Sequence, residues 1–292
     1  MEFFLQLLIT GVAVGFLYAL SALGFVMIFK SSSVLNFAHG ELLGIGAFIF
    51  LVLVSWAQLP TVIAFLVTLL GTFALGFLIE RLFLRPLIGE ALIEVIMLTV
   101  GLAAMFRGLM LFIWGGNLYT YPDFLPKGLS FTLRGITIPP VYSAAIIIGL
   151  LFLLLFGLFF KYSSQGIYMR SVADNQPAAL SLGVHVRRVF ALSWAIAALV
   201  AGMSGIVLGI INGINVHELS AIGLKVFPVV ILGGLDSIGG AIIGGIIIGL
   251  VETFVSGYIS PSLADIVSYI LLVFILMVKP YGLFGLTEIE RV

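Results

Sequence analysis

Cysteine is absent from the 292-residue chain, which excludes a disulfide frame, a thiolate nucleophile and any cysteine-based metal site. Charge is scarce as well. Asp, Glu, Lys and Arg together supply 9% of the residues, where a soluble domain has about a quarter. Formal net charge is zero and no basic tract offers a nucleic-acid surface. His39, His185 and His217 never meet each other and a carboxylate at ligand spacing, so no zinc site is expected. His185 and His217 read as solvated loop residues, and no Ser/His/Asp order stands out. The phosphate-cradling pattern G-x-x-x-x-G-K-[ST] is missing too: from Gly24 to Lys30-Ser31, Phe29 stands where the second glycine is required. ATP hydrolysis by that route is excluded, so any energy must come from a partner or an ion gradient.

What the chain has in excess is apolar length. Hydrophobic residues make up 62% of it and the mean hydropathy is +1.30. Several runs exceed the roughly 20 apolar residues that cross a bilayer core. They are continuous rather than alternating, which argues against a β-barrel. The fold class is an all-α polytopic membrane protein. Phe3 to Phe29 is expected to be the first span rather than a leader, because only Glu2 precedes it where a basic segment would be needed. Further spans are expected near Leu42–Ala57, Pro60–Ile79, Val95–Trp114, Val141–Phe160, Val189–Ile211 and Leu263–Val278. Between the last two, a short descending piece (Ala221–Leu232) and an ascending one (Ala241–Ser256) make eight full spans plus one short, broken or re-entrant segment. The whole, 1–292, reads as a single transmembrane domain.

Lys30, Arg81, Arg85, Lys161, Arg170, Arg187, Arg188 and Lys279 fall on one side if the spans alternate. By the positive-inside rule that side is the cytoplasm. Lys127 and Arg134 then lie opposite, in the extracytoplasmic loop 115–140, with the N-terminus outside and the C-terminus inside.

Three stretches interrupt the apolar pattern. Lys161 to Arg188 is the one long polar connector, with pieces near Tyr168–Ala173 and Pro177–Leu182 that read as short helices and Gly183 as a stop. Short helices outside the bilayer suggest a docking surface. Asn36 to Glu41 is a polar break before a glycine-rich apolar run. Lys225 to Gly240 is apolar, then broken by Gly233, Gly234 and Asp236. Irregular backbone at membrane depth requires burial in protein or a watery cavity, and transporters aim such broken helix ends at cargo. Gly40/Gly44 and Gly240/Gly244 open their runs alike, a hint of an internal repeat. Gly11/Gly15, Gly205/Gly209/Gly213, Gly240/Gly244 and Gly245/Gly249 are four-residue pairs. Such spacing allows close helix approach in lipid, within a subunit or at an interface or sliding gate.

Leu35-Asn36-Phe37-Ala38-His39-Gly40-Glu41 resembles the N-F-A-H-G-E signature of the permeases of branched-chain amino acid ABC importers. Val230 to Ala241 is similar to that family's L-G-G-x-x-S-x-x-G-A pattern. The polar connector, 161–188, resembles an ABC coupling loop: Ala178-Ala179 and Gly183 keep the E-A-A…G spacing, with Pro177 in the place of the Glu. The resemblance runs from Gly11 to about Gly285. It implies a pore-forming subunit, not an enzyme, in a bacterial cytoplasmic (inner) membrane. A second homologous permease, two cytoplasmic ATP-binding subunits and an extracytoplasmic amino-acid-binding protein would be its partners. No cofactor would be bound by this chain, ATP residing on the partners. Arg170, Asp174, Pro177, Ala178, Ala179, Gly183 and Arg187 would form the coupling loop, and Asn36, His39, Glu41, Gly233, Gly234 and Asp236 the translocation path or gate.

The residues leave several roles open. His39 and Glu41 either line the path or hold the break together; Asn36 braces it or touches cargo. Asp236 meets a cargo ammonium or bonds nearby backbone N–H groups. Arg107, in mid-span, lines the path or pairs with an acid across the bundle, for which Glu252 is a possible partner. Few fixed charges, exposed backbone and aliphatic walls suit an aliphatic zwitterion, whose carboxylate could sit at a helix N-terminus. They do not separate an amino acid from urea, a short amide or a sugar. An ion-coupled secondary transporter working alone through Glu41 or Glu252 is the alternative class.

Overall fold

Nine helices among the described residues are long and apolar enough to cross a bilayer. They come from a computed structural model that describes residues 2–122, 131–133 and 136–285. In order they are α1 (Glu2–Ser32), α2 (His39–Leu51, its span running on to Trp56), α3 (Thr61–Ile79, its span running on to Leu87), α4 (Leu92–Trp114), α5 (Pro140–Tyr162), α8 (Val186–Asn212), α9 (Val216–Gly233), α10 (Ile238–Tyr258) and α11 (Pro261–Val278). Two short helices, α6 (Ser164–Asp174) and α7 (Gln176–Ser181), lie between α5 and α8. A small antiparallel pair, β1 (Phe131–Leu133) and β2 (Ile136–Ile138), falls in the loop before α5. Lys127 and Arg134 lie outside the described residues.

Span ends differ from expectation mostly by a few residues, but two differences have physical causes. The descending piece expected at 221–232 is the full helix Val216–Gly233. His217, Glu218 and Lys225 interrupt its hydropathy, and Pro228 sits inside it. The span expected to end at Ile79 runs on as helix: α3 continues through a π-helical turn, Glu80–Leu84, into a 3₁₀ turn, Arg85–Leu87. α2 ends in a second π-helical turn, Val52–Trp56. Such turns insert a residue without breaking the helix.

The chain divides into two compact units. Unit 1 holds residues 1–26, 126–151 and 225–292. In it α1 packs on α10 through glycines: a Cβ on Gly15 would reach the backbone of Ile246, and Gly249 faces Gly15. Gly233 likewise abuts Gly240. Unit 2 holds residues 27–125 and 152–224. Its centre is α8, whose Trp194, Ala198, Met203 and Val207 are buried. Against it α2 approaches at Gly46–Gly202 and Leu43–Gly205, and α3 at Gly76–Trp194. Little hydrophobic force joins helices in lipid, so close packing between small residues supplies the adhesion. The expected pairs Gly11/Gly15, Gly240/Gly244 and Gly245/Gly249 all serve packing inside the chain. Gly213 does both: it ends α8 at φ +80° and packs closely, a Cβ there meeting Leu118 Cδ1 at 2.8 Å and the Tyr119 carbonyl at 3.3 Å.

Candidate functional site

The break before α2 is built by a handful of polar atoms in unit 2. α1 stops at Ser32, and Ser33 takes a left-handed φ of +56°. Asn36, fully buried, accepts the Ala38 N–H on Oδ1 at 3.0 Å, and its carbonyl accepts the His39 N–H at 3.3 Å. Asn36 therefore braces the break. From α4, Thr99 Oγ1 lies 3.1 Å from the Leu35 carbonyl and 3.4 Å from the Phe37 N–H, stapling both flanks. Gly40 packs on α9, where a Cβ would meet Gly223 Cα at 2.9 Å and the Ser220 carbonyl at 3.0 Å. His39 is buried in the first turn of α2.

Glu41 supplies the charge. It is 2% exposed, and its Oε1 accepts from Arg107 Nε at 3.0 Å and Nη2 at 2.6 Å. The acid across the bundle for Arg107 is thus Glu41, not Glu252. Arg107 keeps 42% of its side chain exposed, so one cation both neutralises a buried carboxylate and reaches the surface of α4.

Glu252 has a cluster of its own in unit 1. Tyr18 donates to Oε2 at 2.7 Å, Ser268 donates to Oε1, and Lys225 Nζ lies 3.2 Å from Oε2. Lys225 also binds Asp265 at 2.9 Å. Sequence reasoning passed over Lys225, Asp265, Tyr18 and Ser268. A lone lysine within an apolar run was the available signal, since a cation at that depth requires an acid. Both carboxylates considered for ion coupling are therefore already held by cations.

The second break, also in unit 1, is closed by the chain itself. Gly234 is left-handed (φ +108°) and Ser237 Oγ accepts the Gly240 N–H at 3.0 Å, capping α10. The Leu232 and Gly233 carbonyls, left over at the end of α9, accept N–H groups from Leu283 at 2.8 Å and Phe284 at 3.1 Å. Gly233 and Gly234 are buried, and Asp236 sits half-buried in the turn.

The polar connector folds much as its sequence suggests. Ser163 caps α6 by accepting the Gly166 N–H at 2.9 Å. Asn175 ends α6 and caps α7, accepting the Ala178 N–H at 2.9 Å, and Pro177 occupies the first turn. Gly183 follows α7 with φ +83°. Ala179 is buried beneath the ledge, while Asp174, Pro177, Ala178 and Arg187 are exposed. Arg170 holds the Lys161 carbonyl at 3.3 Å and lies over the Phe160 ring. Leu180 and Leu182, 54% and 82% exposed, escaped the sequence reading. One sits on the short polar helix α7 and the other just past its end, leaving apolar side chains bare there.

On the other side of unit 2, Tyr121 follows α4 and donates to the Ala47 carbonyl at 3.0 Å. Burial pushes its phenol well above its ordinary value, so it stays a donor.

Comparison with known proteins agrees with these motifs. The family described as branched-chain amino acid transport system / permease component matches residues 7–276. The high-affinity branched-chain amino acid transport system permease protein LivH of Escherichia coli (strain K12) is 31% identical over 303 residues, covering 99% of this chain and 98% of its own. BraD of Pseudomonas aeruginosa, with the same description, is equally similar, at 31% with the same coverage. Among solved structures, PsaBC from Streptococcus pneumoniae in complex with Fab has a TM-score of 0.54 at 14% identity, over 96% of this chain and 93% of that one, a likeness of fold. Matched over nearly its whole length by that family and by such relatives, the chain belongs to the permease components of branched-chain amino acid transport systems.

Proposed function

We propose that the chain is a pore-forming permease subunit of an ATP-driven importer carrying leucine, isoleucine and valine across the bacterial cytoplasmic membrane. Its family supports the cargo class. The observation that carries the mechanism is the ledge α6–α7: two capped helices between long apolar spans, with Leu180 and Leu182 bare. Two ATP-binding subunits dock there, on the cytoplasmic side, with the N-terminus outside. Arg170, Asp174, Pro177, Ala178, Ala179, Gly183 and Arg187 form the coupling surface. A second homologous permease completes the pore, a soluble binding protein delivers cargo from outside, and residues 1–292 act as one permease domain. Within it the break Asn36–Glu41, with Arg107, borders the path; Gly233, Gly234 and Asp236 set the hinge of α9 on α10.

Affinity purification from the native membrane tests this. An ATPase and a second permease co-elute with the chain, and Leu182→Asp releases the ATPase while the protein still inserts. Purified chain that concentrates leucine alone in liposomes under an ion gradient refutes the proposal.

A further inference from the structure

We infer that unit 2 contains a regulatory binding cavity for an aliphatic zwitterion on the coupling-helix side, through which imported product slows further import. The inference rests on the cargo reading above. The cavity holds about 250 Å³ and is bounded by the end of α1, the π-helical turn after α3, the start of α4, α7 and α8. Its walls are apolar, from Val34, Leu84, Val95, Phe190 and Trp194. Its polar side chains come from Ser32, whose hydroxyl donates to the Ile28 carbonyl, and from Glu80, Glu90 and Gln176.

Size and charge choose the ligand. Sites for drug-sized molecules begin near 300 Å³, so the enclosed part of this one, which opens to the surface, is sized for a single small amphiphile. Glu80, 1% exposed, is neutralised by Arg85, with Nη2 at 3.0 Å and Nε at 3.4 Å. Glu90, exposed in the loop before α4, therefore leaves one net negative charge, which favours an ammonium. The Gln176 amide can donate to a carboxylate. Leucine, valine and isoleucine combine those two heads with a branched aliphatic body suited to the walls.

Position supplies the regulation. Gln176 is the first residue of α7, and Val34 lies two residues before Asn36 of the break. An occupant touches both, so any movement of the ledge relative to the break changes the cavity. A ligand that fits one arrangement better shifts the protein towards it and opposes the cycle.

The test has two arms. The full chain in lipid nanodiscs, carrying Trp56→Phe and Trp114→Phe, leaves Trp194 as its sole indole. L-leucine then changes Trp194 emission saturably and L-aspartate does not. Glu90→Gln weakens the response at least about tenfold, and Val95→Phe, which fills the cavity, removes it. No saturable response up to the solubility limit of leucine, or one unchanged in both variants, overturns the site. In the second arm, the whole transporter in proteoliposomes is loaded with leucine on the ATPase side. Uptake by the parent slows as the load rises, while Glu90→Gln keeps its unloaded rate. Uptake indifferent to load overturns the regulatory role. Failure to import leucine into empty vesicles sinks the cargo reading instead, and the Trp194 titration still judges the cavity.

Discussion

Removing Arg107 should damage the protein more than removing its partner Glu41, although both lose the same ion pair. Glu41 is 2% exposed, while 42% of the Arg107 side chain is exposed. Arg107→Met strands a carboxylate in a place with neither water nor cation, and breaking a buried pair that way costs about 3–5 kcal/mol. Glu41→Gln leaves a guanidinium that, with Arg107 bordering the path as proposed, can turn along its flexible stem into that watery path rather than into lipid, and keeps an amide oxygen to accept one N–H. Discounted for that exposure, its cost is about 1–2 kcal/mol. The double variant, Glu41→Gln with Arg107→Met, buries no charge and should cost less than Arg107→Met alone. Reversible unfolding in mixed detergent–lipid micelles measures all three and yields the coupling energy. Equal single costs, or additive ones, would refute the reasoning: the break would then be held by Asn36 and Thr99, with the ion pair incidental.

Gly205→Leu, which drives a side chain into the Leu43 backbone, should prevent accumulation of folded protein, while Gly71→Ala, with nothing nearby, gains about 0.5–1 kcal/mol of helix propensity, both read from detergent-extracted yield and unfolding. Lys225→Met should cost several kcal/mol because buried Glu252 loses its cation, whereas Asp265→Asn, at a 71% exposed side chain, should cost about 0–1 kcal/mol in the same unfolding assay. Asn175→Ala removes the cap of α7 at about 1 kcal/mol and should loosen ATPase co-purification without changing membrane insertion.

Whether a feature could be read in advance depended on how far its partners lie along the chain. The ledge was legible because its determinants are neighbours: Pro177 in the first turn of one short helix, Gly183 after it, charges on a few turns. Arg107 announced that it needed an acid, but its 66-position separation from Glu41 carries no pattern that selects Glu41 over Glu252. That choice is made by the rotation of α2 against α4, which Gly40 against Gly223 and Thr99 against Leu35 help to set. The glycine pairs show the same division. Their spacing foretold close packing, yet Gly213 packs against the loop residues Leu118 and Tyr119 rather than against a helix, because α8 stops before reaching it. The second break was misleading for a related reason. Gly233 and Gly234 look like exposed backbone until residues 283 and 284, about 50 positions later, donate to the carbonyls left at the end of α9. Unsatisfied carbonyls at membrane depth demand a donor, and that demand could have been stated from sequence; the donor's identity could not. Among the described residues Glu41 with Arg107, Glu80 with Arg85, and Glu252 and Asp265 with Lys225 all pair inside their own unit, so on the proposed function the partner surface is marked by bare Leu180 and Leu182 together with exposed Asp174 and Arg187.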